Sequence, residues 1–168
     1  RFLGEPGDGP TTVKSLGHQV FIEHTLNDNW KIQTGASYRD SEMVGFSTEA
    51  NNLLPDGQTL RRQRRHRDFS ATDVSGRFEV LGKFSLASMA HSVLFGVDGY
   101  KFNDDRLQLR RNPTATNAYA INIYNPVYGG MSDPLTVSIN THEKQSSHGF
   151  YAQDQIDITE QWKAMIGV

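Results

Sequence analysis

Hydrophobic and polar residues alternate along most of this chain, and helical spacing is nearly absent, which predicts strands throughout. The clearest run is Trp30 to Arg39. Trp30, Ile32, Thr34, Ala36 and Tyr38 fall on one face, and Lys31, Gln33, Gly35, Ser37 and Arg39 on the other. Upstream, Val20, Ile22 and Leu26 alternate with Gln19, Glu23 and Thr25, although His24 falls on the apolar side and Phe21 on the polar one. The turn formers Asn27-Asp28-Asn29 join the two runs into a hairpin. A second hairpin sets Val74, Phe78 and Val80 against Asp73, Ser75, Arg77 and Glu79. It turns through about 82–89 and returns with Val93, Phe95 and Val97 opposite Leu94, Gly96, Asp98 and Tyr100. A third alternates Phe150, Ala152, Ile156 and Ile158 with Tyr151, Gln153, Gln155 and Asp157, Asp154 interrupting the apolar face. Thr159-Glu160-Gln161 makes its turn, and a strand from Trp162 runs to Val168 in mid-course.

The first and third hairpins repeat one device. Superposing Trp162 on Trp30 also pairs Ile158 with Leu26, Glu160 with Asp28, Lys163 with Lys31 and Gly167 with Gly35. A Trp directly after a turn, with Lys beside it, suits a membrane–water interface, so Trp30 and Trp162 are the candidate interface residues. The connections alternate in length. Turns at 27–29, about 82–89 and 159–161 are short, whereas about 42–68 and about 104–147 are long, polar and rich in Asn, Pro, Gly and Arg. Long structureless loops are uncommon in compact domains, and short turns at one rim with long loops at the other mark outer-membrane barrels. The expected fold is therefore all-β: an antiparallel up-and-down meander, part of a large transmembrane β-barrel. The competing class is a soluble β-sandwich or meander acting as a binding module.

Composition sharpens the choice by exclusion. The 168 residues carry 17 basic and 19 acidic side chains, a formal charge of −2, which argues against a nucleic-acid partner. Cysteine is absent, removing disulfides, thiolate metal sites and a Cys nucleophile. No run of 18 apolar residues can form a transmembrane helix, and Arg1 to Pro10 lacks the build of a signal peptide. The hydrophobic share is only 36%. A barrel wall reads as polar in this way because every second residue faces water.

Several segments resemble TonB-dependent siderophore receptors of the ferric hydroxamate and pyoverdine type. They are Gly149 to Thr159 followed by Gln161-Trp162-Lys163 and Gly167-Val168, His91 to Tyr100, Tyr124-Asn125-Pro126-Val127-Tyr128-Gly129, and the Leu26 to Gly35 hairpin. They span nearly the whole chain in family order. The resemblance implies an outer-membrane protein, a plugged barrel of about 22 strands, of which residues 1–168 supply about five strands and a truncated sixth. The plug and the TonB-engaging segment have no counterpart here. It further implies a ferric siderophore as ligand, TonB and the plug domain as partners, and no catalytic activity. Iron would arrive already chelated, so no cofactor or protein-bound metal is expected. Trp30, Ile32, Val80, Phe95 and Ile156 would meet outer-membrane lipid, and Gln33, Arg77, Glu79 and Gln155 the lumen. A piece of wall with open sheet edges would self-associate in isolation.

The densest charge feature is Arg61, Arg62, Arg64, Arg65 and Arg67 with His66 among them. Strand alternation puts Arg61, Arg65 and Arg67 on one side, Arg62 and Arg64 on the other. Three readings follow: steering of an anionic iron chelate, contact with lipopolysaccharide phosphates, or a solvated strand end. Arg61 and Arg64 are the arginine ligand candidates. Tyr119, Tyr124 and Tyr128 are the aromatic ones, since siderophore pockets in the family are rich in such rings and a phenol offers apolar area with a hydrogen bond; the alternative is a structural turn at Asn125 to Gly129. The six histidines are scattered, with His142 and His148 lacking metal-pair spacing. Asp104 and Asp105 would point to opposite faces, unsuited to shared acid–base work. Gly4 to Gly9 reads as a flexible connection.

Overall fold

The computed structural model describes residues 2–111, 119–130 and 134–168. The strands are β1 (Thr12–Asn27), β2 (Trp30–Leu53), β3 (Thr59–Leu86), β4 (Met89–Arg111), the two-residue β5 (Ile121–Asn122), β6 (Thr136–Asp157) and β7 (Lys163–Gly167), preceded by a 3-10 turn at Pro6–Asp8. They form one antiparallel sheet in the order β1-β2-β3-β4-β6-β7, with β5 added beside β3. Each long strand therefore pairs with its neighbour in the chain. Among the described residues β1 does not pair with β7, so the sheet stays open.

Strand length decides against a sandwich. β2, β3, β4 and β6 have 24, 28, 23 and 22 residues, where strands of soluble domains have about five or six and a bilayer needs about nine to eleven. This corrects the loop assignments. Residues 42–68 are mostly strand, broken only at 54–58, where Asp56 accepts N–H groups from Gln58 and Thr59 at 3.0 and 2.9 Å. Likewise β4 continues to Arg111 and β6 begins at Thr136, leaving a shorter connection than expected. The reason is physical: where both faces are polar, the backbone ladder continues but the hydropathy alternation that reveals it is gone.

The turns are also tighter than the sequence implies at one place. β3 and β4 are joined by Ala87 and Ser88 alone, both left-handed (φ 53° and 66°), the conformation of a two-residue hairpin turn that normally selects Asn and Gly. At Asn27 and Thr159 the repeat found in the sequence is a repeat of structure. The Asn27 side-chain oxygen accepts the N–H groups of Asn29 and Trp30 (2.9 and 3.0 Å), and the Thr159 hydroxyl accepts those of Gln161 and Trp162 (3.2 and 3.0 Å).

Two compact units divide the chain: Arg1–Ser15, Ser41–Ala71 and Asp104–Glu143 in the first, and Leu16–Asp40, Thr72–Asn103 and Lys144–Val168 in the second. The first holds a small core of Leu60, Tyr119 and Ile121, with Leu60 directly opposite Ile121 in the β3–β5 register. In the second, Val93 is the one buried hydrophobic side chain among the described residues, and Val20, Ile22, Phe78, Phe95, Val97 and Phe150 stay exposed. A single layer with an uncovered apolar face is what remains.

Within that second unit the predicted faces hold. On one side Glu23 accepts from Lys31 and Gln33 (3.1 and 2.6 Å), Ser37 meets Ser75 (2.7 Å), and Arg77 lies over Phe21. On the other, Trp30 covers Gly82, and Phe84, Val93, Phe95, Ala152 and Ile166 surround one cleft. Phe21 thus sits on the polar side because it is the apolar lid of an arginine. Asp154, which interrupts the apolar face, is held by His91 Nδ1 at 2.7 Å, with Phe84 stacked on the imidazole.

Candidate functional site

The arginines of β3 are built into the first unit from two sides. Glu5 is extended, Pro6 opens the 3-10 turn and Asp8 N–H closes it on the Glu5 carbonyl at 3.1 Å. Residues three apart in a 3-10 turn lie on one side, as do residues two apart in a strand. Glu5 and Asp8 therefore meet Arg62 and Arg64: Arg62 to Glu5 is 3.3 Å and Arg64 to Asp8 is 2.8 Å. The Gly4 to Gly9 stretch is thus a seated strap, a correction to its reading as a flexible connection. Arg64 also lies 4.5 Å over the Phe46 ring, and Phe46 packs on His66.

The opposite face carries Glu49. It accepts from Arg67 at 2.7 Å, sits 3.4 Å from Arg65 and takes a 3.4 Å bond from Gln63, while Arg67 also donates to Ser47. Partial burial pushes the Glu49 carboxyl up, but the Arg67 hydrogen bond and the Arg65 charge outweigh it and hold it below its ordinary value. The Asp56 carboxyl is also lowered, by the Thr59 hydroxyl and the Gln58 and Thr59 N–H groups. The alternation of the arginines is as predicted, and of the three readings the solvated strand end does not fit these side chains. Four of the five are engaged by carboxylates, and Arg62 is 1% exposed. Arg61 forms no ion pair with another described residue and is half-buried.

The tyrosines divide similarly. Tyr119 is fully buried, and its carbonyl accepts Arg62 Nε at 2.7 Å. Tyr128 is half-buried, donates to the Phe2 carbonyl at 2.7 Å and packs on the Phe2 ring. Tyr124 is 64% exposed, in a turn where the Asn122 side chain accepts the N–H groups of Tyr124 and Asn125. Asp104 and Asp105 do part to opposite faces: Asp104 is buried against Arg106 at 2.7 Å, and Asp105 is exposed and bonded to His142. Trp30 is half-buried over Gly82, whereas Trp162 is 71% exposed.

The second unit contains a network that hydropathy did not reveal. Tyr151 of β6 reaches across β4 to donate to Glu79 of β3 at 2.7 Å, and Arg77 lies 4.0 Å from the same carboxylate. A Cβ on Gly96 would collide with the Tyr151 ring, so the bare glycine makes the crossing possible. Beside it, a cavity of about 340 Å³ is lined by Phe21, Ser37, Arg77, Asp98 and Tyr100, and another of about 450 Å³ by Lys31, Lys83, Leu94, Gln153 and Gln155. The available signal was a glycine placed between large polar-face residues on both neighbouring strands.

Residues 2–168 match the family model described as TonB dependent receptor-like, beta-barrel. The chain belongs to the TonB-dependent receptor barrel family. It is 34% identical over 168 residues to the metal-pseudopaline receptor CntO of Pseudomonas aeruginosa, covering 100% of this chain and 24% of that protein. It is 29% identical over 170 residues to the ferrioxamine receptor of Yersinia enterocolitica, covering 90% and 22%. Among solved structures, the closed form of the ferric-catecholate import receptor Fiu from E. coli superposes with a TM-score of 0.77 at 21% identity, over 99% of this chain and 24% of that one. The siderophore receptor PiuA from Acinetobacter baumannii gives 0.72 at 18%, over 98% and 26%. Those superpositions show the shared fold alone. The chain spans about a quarter of the length of the receptors it matches. As a TonB-dependent receptor barrel segment it belongs to the bacterial outer membrane and to a family of transporters rather than enzymes.

Proposed function

We propose that residues 1–168 are part of the wall of a barrel of about 22 strands that imports ferric siderophores with energy delivered through TonB. The observation that carries this reading is a family match from residue 2 to 168 along a one-layer sheet with one apolar and one polar face. The apolar face of the second unit meets outer-membrane lipid, with Trp30 and Trp162 at its interface. Its polar face looks into the lumen, where a plug contributed by other parts of the protein sits. The arginine- and carboxylate-bearing segments of the first unit are assigned to water rather than lipid.

Ligand contact is assigned to the accessible members of the candidate set, Tyr124, Tyr128 and Arg61, with Arg64 and Tyr119 framing them. An anionic chelate suits Arg61, which lacks a carboxylate partner among the described residues; lipopolysaccharide phosphate is the competing anion for it. The test is iron uptake by cells whose only ferric-siderophore receptor is the full-length protein. Uptake that stops when TonB is deleted, with affinity weakened about tenfold by replacing Tyr124 and Arg61 together, is expected. Uptake indifferent to TonB would overturn the transport reading, and unchanged affinity would return those residues to loop structure.

A further inference from the structure

The Arg62–Glu5 pair has a role that ligand steering does not cover. Arg62 Nε donates to the Tyr119 carbonyl at 2.7 Å. One terminal nitrogen donates to the carbonyls of Gly4 (2.5 Å) and Leu3 (3.4 Å), and the other reaches Glu5 Oε2 at 3.3 Å. Glu5 then uses its second oxygen, Oε1, to accept the Gly129 N–H at 2.9 Å. One guanidinium and one carboxylate thus hold both ends of the 119–129 segment. The same segment is pinned beside them by the Leu60–Ile121 and Thr59–Asn122 pairing and by Tyr128 on Phe2. The side chains of Arg62 and Glu5 are 1% and 5% exposed, so neither touches an incoming ligand. Removing one partner leaves the other charge buried and uncompensated, which forces the assembly open to water.

We propose that Arg62 and Glu5 are positioning residues: their buried pair clamps the strap at residues 2–9 to the 119–129 segment and so sets the posture in which Tyr124 and Tyr128 are presented. The link to affinity rests on the ligand reading above; the clamp itself does not. Breaking the pair loosens both ends of the segment together, because Arg62 and Glu5 reach from β3 and the strap to Tyr119 and Gly129, while the Arg64–Asp8 pair still ties the strap to β3. Swapping Arg62 for Lys keeps the charge but loses the fork that reaches the strap and the 119–129 segment at once.

The experiment uses the full-length receptor in outer-membrane vesicles, with chymotryptic cleavage after Tyr124 and Tyr128 reporting the segment's release. Glu5→Gln and Arg62→Met should each accelerate cleavage about tenfold or more while heat-modifiable migration of the barrel is unchanged. Arg62→Lys should give a smaller increase. The double variant should cleave no faster than the single ones, since either change alone opens the same clamp. Ferric-siderophore affinity should fall about tenfold in Glu5→Gln. Cleavage at the wild-type rate in both single variants would overturn the clamp whatever the ligand proves to be. Faster cleavage with unchanged affinity would overturn the positioning role. A wild-type receptor that binds no ferric siderophore would instead overturn the ligand reading, with the cleavage rates still judging the clamp.

Discussion

Tyr151, Gly96 and Glu79 show how much one residue's absence of a side chain can determine. Tyr151 lies flat over Gly96 because nothing stands there, and its hydroxyl ends on a mostly buried carboxylate. Tyr151→Phe should therefore cost about 1.5–3 kcal/mol, the range for a hydrogen bond to a charged group. Gly96→Val should cost at least as much, because it lifts the ring away and overpacks the site as well. Urea denaturation of the full-length barrel in detergent measures both, and a larger loss in Tyr151→Phe than in Gly96→Val would contradict the crossing. Glu49 offers a test by pH. Its carboxyl is held below the ordinary value in the folded protein, so the unfolded chain takes up its proton first as pH falls. The stabilisation is present above the ordinary carboxylate range and is lost as pH drops through the lowered folded value. Amide exchange at 47–49 and 63–67, corrected for intrinsic rate, should show local opening becoming easier on moving from about pH 5 to about pH 3. Glu49→Gln should abolish most of that difference; an undiminished pH effect would place it in another group.

At the scale of the element, the Ala87-Ser88 turn is the weakest match between sequence and conformation. Two consecutive non-glycine residues with positive φ cost about 1–2 kcal/mol each, which the long β3–β4 ladder offsets. Replacing Ala87 with Asn and Ser88 with Gly should stabilise the hairpin by about 1 kcal/mol or more, read from the urea midpoint. A lower midpoint would mean that the turn is not of the primed type. This turn also explains why 82–89 looked like a longer connection: Ala and Ser carry no turn signal. Asn27-Asp28-Asn29 and Thr159-Glu160-Gln161 were legible because their side chains themselves close the turn. The faces of the second unit were legible for the same kind of reason, since one side of each strand is apolar. In the first unit Arg61 to Arg67 gave their alternation but not their partners. Glu5, Asp8 and Glu49 lie 57, 56 and 18 residues from the arginines they bind, and no local pattern announces a carboxylate that far away. The burial of Tyr119 and the bond from Arg62 to its carbonyl, 57 residues away, were hidden for the same reason.

For the whole molecule, composition and architecture now agree. A hydrophobic share of 36% is low for a packed domain, and only four hydrophobic side chains are buried among the described residues. The apolar side chains are spent on a face with no protein over it, as in a wall that lipid completes. The unpaired edges of β1 and β7 follow from the same architecture, and a chain isolated from its neighbours should associate through them. Within these 168 residues no native cysteine competes for a label in the decisive measurement. Single cysteines are placed along β4 at Val93, Leu94, Phe95, Val97 and Asp98 of the full-length receptor in outer-membrane vesicles, Gly96 being left bare under Tyr151. Each is labelled with a fluorophore and exposed in turn to a lipid-dissolved and a water-soluble quencher. The account predicts strict alternation, with positions 93, 95 and 97 quenched from the lipid and 94 and 98 from water. Uniform quenching by the aqueous reagent, or alternation of the opposite phase, would contradict it.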